Sequence, residues 1–328
     1  MDFEKLFLDF ARLKVAVIGD LMLDTYWWGK VDRISPEAPV PVVAVTKKEQ
    51  RIGGAGNVAF NVQSLGAGVT VLSVLGKDDD GDQLKQLLEQ SGINTKYVVQ
   101  SDKRITTNKI RIISRNQHMM RLDAEMADDM LHEDEEKLLY AVENFIAAES
   151  PDVMIFEDYN KGVLTPLVIE KVIALCKHHH IITTVDPKRK NFLAYKGVDI
   201  FKPNLKEVKE GLNILTENSS LHVLEDMHVL LQDKLGHKVT FITLSEKGVF
   251  YQQDNKAALI PTHIRDIADV SGAGDTVIAV ASLVYAATKN PALMAEVANI
   301  AGGLVCEEVG TVAIDKGKLL AECQLLLR

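Results

Sequence analysis

Short runs of β-branched residues alternate with amphipathic stretches along most of the chain, and this alternation restricts the fold more than any other feature. The apolar runs predict five strands, at 15–20, 69–76, 153–158, 181–186 and 239–244. The amphipathic stretches predict helices at 54–66, 79–91, 133–148, 165–179, 219–235, 274–288, 291–308 and 315–327. This order is typical of an α/β protein whose central, mostly parallel sheet is flanked by helices.

Two segments interrupt the alternation. "TYWWGKVDRISPEAPVPVVAV" (25–45) and "RITTNKIRIISRNQHMMRLD" (104–123) have a period-two pattern with no helix between adjoining strands. We expect them to form a small antiparallel sheet, a lid built from about 25–47 and 104–123 beside the main sheet. Since no repeat or Pro/Gly/Ser-rich linker divides the sequence, residues 1–328 are predicted to form a single domain.

Charge and cysteine content exclude several classes of protein. A formal net charge of -9 argues against nonspecific binding to nucleic acid or to acidic membranes, which requires clustered Lys and Arg. No run reaches the roughly 18 apolar residues of a membrane span, and the N-terminus lacks a signal peptide's uninterrupted apolar core. Three cysteines without metal-ligand spacing predict reduced thiols in a cytoplasmic protein. The triplet "HHH" (178–180) has no carboxylate at helical ligand spacing, so a metal site there is disfavoured.

Polar residues follow several of the predicted strands. They are Asp20, Asp24, Asp158, Asp186 and Ser245. Each alone is more often a helix cap or turn former, but ligands of open parallel sheets bind beyond the carboxyl ends of the strands. Together these residues are expected to line one crevice.

The stretch "RIGGAGN" (51–57) places glycines directly before a helix. Gly53 and Gly54 would allow the backbone to approach a polyhydroxyl ligand closely, and Asn57 would add a donor and an acceptor. The alternative is that these glycines only pack a helix entry. Neither this stretch nor the turn after the first strand has the context of a dinucleotide fingerprint, which counts against an NAD(P)-dependent oxidoreductase.

A second glycine-rich turn, "DVSGAGDT" (269–276), precedes an apolar helix that we expect to be buried. The N–H groups of Gly272, Ala273 and Gly274 could form an anion hole at the positive end of the helix dipole. Asp275 could then serve as a base whose ionised form the dipole favours, or it could simply cap the helix. In "KPNLKEV", Asn204 and Glu207 are spaced to order a hydrated Mg²⁺ from one helix face.

These stretches resemble the signatures of a known family. "GGAGN", "NLKE" and "DVSGAGDT", in this order, are similar to those of the ribokinase-like (PfkB) carbohydrate kinases. "RISPEAPVPVV", "SRNQHMMRLD", "DYNKGVL" and "VDPK" resemble one branch, the heptose 7-phosphate kinases of lipopolysaccharide inner-core synthesis. The resemblance covers essentially the whole chain. It implies a ribokinase-like fold with a β-sheet lid, and ATP-dependent, Mg²⁺-dependent phosphorylation of D-glycero-β-D-manno-heptose 7-phosphate at its anomeric hydroxyl, giving the 1,7-bisphosphate.

The resemblance also implies roles for matching residues. Asp275 would be the general base, and the sugar would be held by Asp24, Gly53, Gly54 and Asn57. The phosphates, Mg²⁺ and nucleotide would be contacted by Asn204, Glu207, Ser245, Gly248 and Asn299. Glu207 would bind Mg²⁺ through water, and Asp269 would lie at a monovalent cation such as K⁺. Ser271 stands where the branch commonly has Thr, which weakens the prediction of that cation.

The acceptor is expected to carry a phosphate already. The cations considered for binding it are Arg111, Arg115, Arg121, Lys188 and Arg189. We favour Arg115 with Asn116, and we place Lys161 nearer the transferring phosphoryl group. Asp158 completes the predicted substrate-binding set.

Two alternatives stay open, a kinase for another sugar such as fructose or ribose and a catalytically silent sugar-binding protein. The chain resembles a stand-alone kinase, since no nucleotidyltransferase motif precedes its end at Arg328. Adenylylation of the product would then need another protein. The family's lids commonly pair two subunits, so a homodimer through "VPVVAV" is predicted, with packing inside one lid as the alternative.

Overall fold

The computed structural model describes residues 2–115, 117–216, 218–263 and 265–327. The strands are β1 (Lys14–Gly19), β2 (Leu21–Ile34), β3 (Pro41–Gly54), β4 (Gly68–Leu72), β5 (Val74–Gly76), β6 (Val99–Ser101), β7 (Thr107–Ser114), β8 (Gln117–Ala124), β9 (Val153–Glu157), β10 (Ile182–Asp186), β11 (Ile200–Phe201), β12 (Val239–Thr243), β13 (Val249–Gln253) and β14 (Lys256–Ile260). The helices are α1 (Phe3–Asp9), α2 (Ala55–Ser64), α3 (Asp79–Gln90), α4 (His132–Glu149), α5 (Pro166–His178), α6 (Leu205–Leu212), α7 (Leu221–Leu235), α8 (Ala273–Thr288), α9 (Pro291–Val305) and α10 (Lys316–Leu326).

The main sheet has eight strands in the order β14-β13-β12-β11-β10-β9-β1-β4. The strands from β12 to β4 pair in parallel, whereas β13 and β14 add an antiparallel edge. Helices cover both faces, so successive residues of one strand enter different cores. On β1, Val15 and Val17 pack with α8 and α9, and Ala16 and Ile18 pack with α4 and α5. This double burial explains why the strand reads as a continuous apolar run.

A second sheet, here called the lid sheet, consists of β3-β2-β7-β8. The β2–β3 and β7–β8 hairpins are antiparallel, as expected, but β2 and β7 pair in parallel. The parallel pairing follows from topology, because the two hairpins come from insertions separated by several elements of the main sheet. The carboxyl end of β3 runs directly into α2, which connects the lid sheet to the helices of the main core.

The α/β class with a mostly parallel, helix-flanked sheet is confirmed. The prediction missed helix α1, the two-residue β11, the β13–β14 hairpin and the short β5–β6 pair. The apolar helix predicted at 274–288 is α8, and it is buried from Asp275 through Tyr285. Within the described part of the chain, no helix is both long enough and apolar enough to cross a membrane.

Candidate active site

The carboxyl ends of the parallel strands converge with the N-terminus of α8. Asp20 follows β1, Glu157 ends β9, Asp186 ends β10 and Lys202 follows β11. All four side chains are at most 5% exposed. Charged groups do not accumulate in a protein interior without mutual compensation. Of the polar residues predicted at strand ends, Asp20 and Asp186 thus lie with Glu157 and Lys202 at the edge of the sheet where open α/β sheets bind ligands.

Asp275 lies in the first turn of α8 and is 4% exposed. Its Oδ2 accepts a hydrogen bond from the Asn57 amide at 2.7 Å, and its Oδ1 accepts one from the Tyr159 hydroxyl at 2.7 Å. The carboxylate is thus held in one orientation by residues of α2 and of the loop after β9. A helix cap would accept hydrogen bonds from N–H groups of its own helix, whereas the Asp275 side chain accepts them from α2 and from the loop after β9.

Burial raises the pKa of Asp275 to about 6, although the hydrogen bonds from Tyr159 and Asn57 lower it. The helix dipole favours the ionised carboxylate, as the sequence argument held, whereas burial favours the protonated form. A pKa near 6 leaves the carboxylate mostly ionised at neutral pH and close to the range that suits a general base.

The turn before α8 depends on glycine. Gly272 has a φ of 78°, and a Cβ at that position would approach the Asn57 amide nitrogen to 2.8 Å. The N–H groups of Gly274 and Asp275 belong to the first helical turn, where no i−4 carbonyl is available. The Ala273 N–H, in contrast, donates to the Val270 carbonyl at 3.3 Å. The predicted anion hole therefore loses the Ala273 N–H group, which is already used within the turn, and keeps those at the start of the helix.

The loop after β9 is fixed by buried charges. The Asp20 carboxylate accepts hydrogen bonds from the N–H groups of Tyr159, Lys161 and Val163 at 2.8, 3.0 and 3.1 Å. The Arg104 guanidinium donates to the Lys161 carbonyl from the other side. These contacts position the Tyr159 ring, because its backbone has little freedom left.

Asp158, predicted to bind substrate, points elsewhere. Its Oδ1 accepts from the Asn160 N–H at 2.8 Å and its Oδ2 from the Tyr195 hydroxyl at 2.7 Å, and the residue is 1% exposed. Burial raises its pKa to about 6. In this structure Asp158 shapes the loop, and its neighbour Tyr159 is the residue that reaches Asp275.

A compact network of charges lies beside the α8 turn. The Lys188 ammonium is 2.9 Å from Asp186 Oδ1 and 2.9 Å from Glu207 Oε1, while Lys202 is 2.9 Å from Asp186 Oδ2. Glu157 is fully buried, and neither of its carboxyl oxygens has a hydrogen-bond partner among the described residues. Burial raises the pKa of Glu157 well above its ordinary value, and the nearby Asp186 and Asp275 raise it further.

The predicted sugar-binding glycines lie where β3 meets β2. A Cβ on Gly53 would collide with the Asp24 carboxylate, and one on Gly54, whose φ is 59°, would collide with the Asp20 carbonyl. Both glycines are therefore required by packing inside the protein, whether or not a ligand also approaches them. Asp24 is 4% exposed and forms an ion pair with Arg111 at 2.5 Å.

Most of the cations predicted for the acceptor phosphate already have partners. Lys161 is 2.7 Å from Glu125, and Arg121 is 2.9 Å from Asp123. Arg115 lies in the exposed turn between β7 and β8, with a φ of 49°. Asn116 lies outside the described residues.

Four of the residues predicted along the nucleotide follow β11 or β12 in the chain, whereas Asn299 lies on α9. Asn204 and Glu207 form a capping box at the start of α6, with Asn204 accepting from the Glu207 N–H at 2.9 Å and donating its own N–H at 2.8 Å. Ser245 and Gly248 flank the tight turn after β12, where Gly248 has a φ of 97°. The Asn299 amide on α9 donates to the Pro261 carbonyl at 2.9 Å.

Asp269 links two loops beside the α8 turn. It accepts from the Ser271 N–H and hydroxyl at 2.9 and 2.8 Å, and from the Gly310 N–H at 2.9 Å. These hydrogen bonds lower its pKa despite partial burial. Across the described residues no group of three or more His, Cys, Asp or Glu could hold a metal ion, and this includes the histidine triplet at 178–180.

Sequence reasoning missed Tyr159, Lys202 and Arg104 as site residues. The stretch "DYNKG" contains Tyr159 between the two residues, Asp158 and Lys161, that were predicted to bind substrate. The hydrogen bond from Tyr159 to Asp275 spans 116 positions. No local spacing rule predicts a pair so far apart.

A ribokinase-type α/β fold with a buried aspartate at a glycine-rich helix start defines an ATP-dependent carbohydrate kinase. The fold is shared with solved kinases: phosphofructokinase-2 from Escherichia coli in complex with substrates and products superposes with a TM-score of 0.78 at 17% identity, covering 96% of this chain and 100% of that one. Ribokinase from Arabidopsis thaliana complexed with ribose and ATP gives a TM-score of 0.72 at 17% identity, covering 94% and 98%.

The chain belongs to the pfkB family of carbohydrate kinases, because residues 12–316 match the sequence model of that family. "Bifunctional protein HldE" of Geotalea uraniireducens (strain Rf4) is 41% identical over 327 residues, covering 98% of this chain and 65% of the relative. The protein of the same name from Caulobacter vibrioides is 40% identical over 314 residues, covering 95% and 64%. The chain thus spans about two thirds of the length of these relatives. The family implies ATP and a divalent metal as the reaction's other components.

Proposed function

We propose that the protein transfers the γ-phosphoryl group of ATP to the anomeric hydroxyl of D-glycero-β-D-manno-heptose 7-phosphate, giving the 1,7-bisphosphate. The observation that carries the proposal is the Asp275 carboxylate, buried at the start of α8 and oriented by Asn57 and Tyr159. The heptose assignment is supported by the branch-specific stretches, "RISPEAPVPVV" above all, and by relatives of about 40% identity named "Bifunctional protein HldE".

In the proposed reaction the acceptor hydroxyl oxygen attacks the γ-phosphorus, and the bond to the oxygen of the leaving ADP breaks. Asp275 takes the hydroxyl proton, because it is the carboxylate held beside the phosphoryl-binding turn. The first-turn N–H groups of Gly274 and Asp275 stabilise charge on the migrating phosphoryl group. Lys188, held between Asp186 and Glu207, adds a positive charge nearby.

Glu207 fits the role of holding a hydrated Mg²⁺. Its carboxylate is 13% exposed and has oxygen donors of the kind that Mg²⁺ prefers. The metal would neutralise phosphate charge, and Glu207 would orient it through water. The nucleotide itself would lie along Asn204, Ser245, Gly248 and Asn299, and K⁺ at Asp269 stays part of the proposal. ATP as donor and three free cysteines favour the cytoplasm as the site of the reaction.

The acceptor assignment is tested by measuring ADP release and ³¹P NMR spectra with a panel of acceptors. The panel contains heptose 7-phosphate, the unphosphorylated heptose, fructose, fructose 6-phosphate and ribose. We expect heptose 7-phosphate to be preferred and the product to carry its new phosphate on the anomeric carbon. Equal or faster turnover of fructose or ribose would overturn the heptose assignment and leave the kinase assignment intact.

We also propose that two copies associate through the outer face of the lid sheet. Met120 and Leu122 on β8 are 57% and 42% exposed, and Val40 and Val45 on the β2–β3 hairpin are 52% and 44% exposed. So many exposed apolar side chains on one small sheet mark an interaction surface. A second copy of the chain is the partner that the family resemblance favours.

A further inference from the structure

Lys109 on β7 is a half-buried cation that faces the crevice between the lid sheet and the main sheet. Its ammonium lies 5.7 Å from the centre of the Tyr159 ring. The hydroxyl of that ring donates a hydrogen bond to the Asp275 carboxylate. Among the described residues no ion pair or hydrogen bond involves this ammonium. Lys109 was not among the cations predicted from the sequence.

The carboxylates around Lys109 are already paired with other cations. Asp24 pairs with Arg111 at 2.5 Å, Glu125 with Lys161 at 2.7 Å, and Asp123 with Arg121 at 2.9 Å. These three acids, with Lys161 as a repelling neighbour, are the groups that act on the Lys109 charge. Each local acid therefore has its own cation, and Lys109 is the surplus positive charge.

The unpaired positive charge of Lys109 is unfavourable when no anion is bound in the crevice. Burial lowers the pKa of Lys109, because the ammonium loses hydration without gaining a close counter-ion. A cation–π contact with Tyr159 compensates only part of that loss. An anion bound in the crevice would supply the missing counter-charge.

The position of Lys109 relative to Asp275 restricts which anion it meets. The Lys109 and Lys188 ammonium groups each lie 5.7 Å from the centre of the Tyr159 ring, and the ring hydroxyl donates to Asp275. Lys188 lies on the side of Asp186, Glu207 and the nucleotide residues. Lys109 belongs to β7 and therefore approaches the ring from the lid sheet.

We propose that Lys109 binds the phosphate that the acceptor already carries and so makes the enzyme selective for phosphorylated over free sugars. This inference rests on the proposed function, since it assigns a residue to the far end of the acceptor. Arg115 with Asn116, favoured from the sequence, would then not be needed for this contact. Lys161 would keep its role of fixing Glu125.

The test compares Lys109→Met with wild type, using heptose 7-phosphate and the unphosphorylated heptose as acceptors. Loss of one charge-assisted contact should raise KM for heptose 7-phosphate at least about tenfold. KM for ATP and the activity with unphosphorylated heptose should stay near wild type. Lys109→Arg should recover most of the affinity, because the charge is retained.

Lys48→Met is the matched control. Lys48 is also a lid lysine over an aromatic ring, 4.8 Å from the centre of Trp27, but it is exposed and lies on β3, which β2 separates from β7. We expect this variant to keep wild-type selectivity. Melting temperatures of all three variants show whether the lid sheet stays folded.

Two outcomes would overturn the inference. In the first, Lys109→Met keeps the wild-type preference for the phosphorylated acceptor. In the second, the variant loses affinity for ATP and leaves the acceptor KM unchanged, which would assign Lys109 to the donor. Failure of the proposed function looks different, because wild-type enzyme would then show no preference for heptose 7-phosphate in the first place.

Discussion

At the scale of single residues, the proposed function depends on how Asp275 is held. Its two oxygens accept hydrogen bonds from two elements that are distant in sequence, and burial brings its pKa to about 6. A base must be ionised to accept a proton, so kcat/KM should fall as the pH drops below about 6. The position of that acid limb reports the environment of Asp275.

Tyr159→Phe tests the role of the tyrosine hydroxyl. The hydrogen bond from Tyr159 stabilises the ionised carboxylate and lowers the pKa of Asp275. Its removal should move the acid limb of kcat/KM upward by about half to one pH unit, since one hydrogen bond contributes about 1 kcal/mol. The measurement is the pH profile of kcat/KM from pH 5 to 9.

Tyr195→Phe serves as the control, because the Tyr195 hydroxyl makes an equally short 2.7 Å bond to Asp158 and not to Asp275. This variant should keep the wild-type acid limb even if it is less stable. An acid limb that is unchanged in Tyr159→Phe would show that the tyrosine does not act on the base.

The sequence indicated Asp275, its glycines and Asn57 because those residues sit in short, patterned stretches. It could not indicate what they contact. The pairing of Asp275 with Tyr159, and of Asp24 with Arg111, joins positions far apart in the chain. Such contacts are set by the packing of whole elements. Burial, which decides the pKa of Asp275, is likewise a property of the folded molecule.

At the scale of elements, the start of α8 must satisfy both a backbone and a packing requirement. Gly272 has a φ of 78°, which only glycine adopts without strain, and a Cβ there would meet Asn57 and Thr311 at 2.8 and 3.3 Å. Gly236, at the end of α7, has a φ of 60° but no neighbour within 4 Å of a Cβ. Comparing alanine substitutions at the two positions therefore distinguishes the effect of backbone strain from the effect of steric conflict.

Gly272→Ala and Gly236→Ala should each cost roughly 1–2 kcal/mol of folding free energy from backbone strain. Only Gly272→Ala should also lower kcat, because the added methyl group displaces the amide that orients Asp275. Denaturant unfolding and kinase rates of both variants check this. Equal kinase rates in the two variants would contradict a role for the turn in positioning Asn57.

Element prediction succeeded where periodicity was long enough. The longer helices and the longer buried parallel strands carry eight or more patterned residues or a clear apolar run, and they were found, whereas the seven-residue α1 was not. The two-residue β11 has no periodicity to detect. The β13–β14 hairpin was missed because "VFYQQDNKAALI" mixes polar and apolar residues at an edge of the sheet, where one side is partly exposed.

At the scale of the whole molecule, the proposed pairing of two copies through the outer face of the lid sheet predicts a dimer in solution. Met120→Glu combined with Leu122→Glu places two charges on β8, whose residues are all exposed. If copies pair through this face, the wild type should have twice the 36.2 kDa chain mass in light scattering and the variant should have the single mass. Leu215→Glu, which alters a fully exposed apolar residue outside the lid sheet, is the control. A wild-type monomer at working concentration would contradict the dimer alone.

The central claim, that Asp275 is the base of a carbohydrate kinase, is tested most directly by the rate of ADP formation in Asp275→Asn. Asparagine is nearly isosteric and caps a helix as well as aspartate does, so melting temperature and ATP binding should stay near wild type. Without a carboxylate to accept the proton, turnover should fall by roughly 10²–10⁴-fold. Near-normal turnover in this variant would contradict the assignment and leave Asp275 as a buried helix cap.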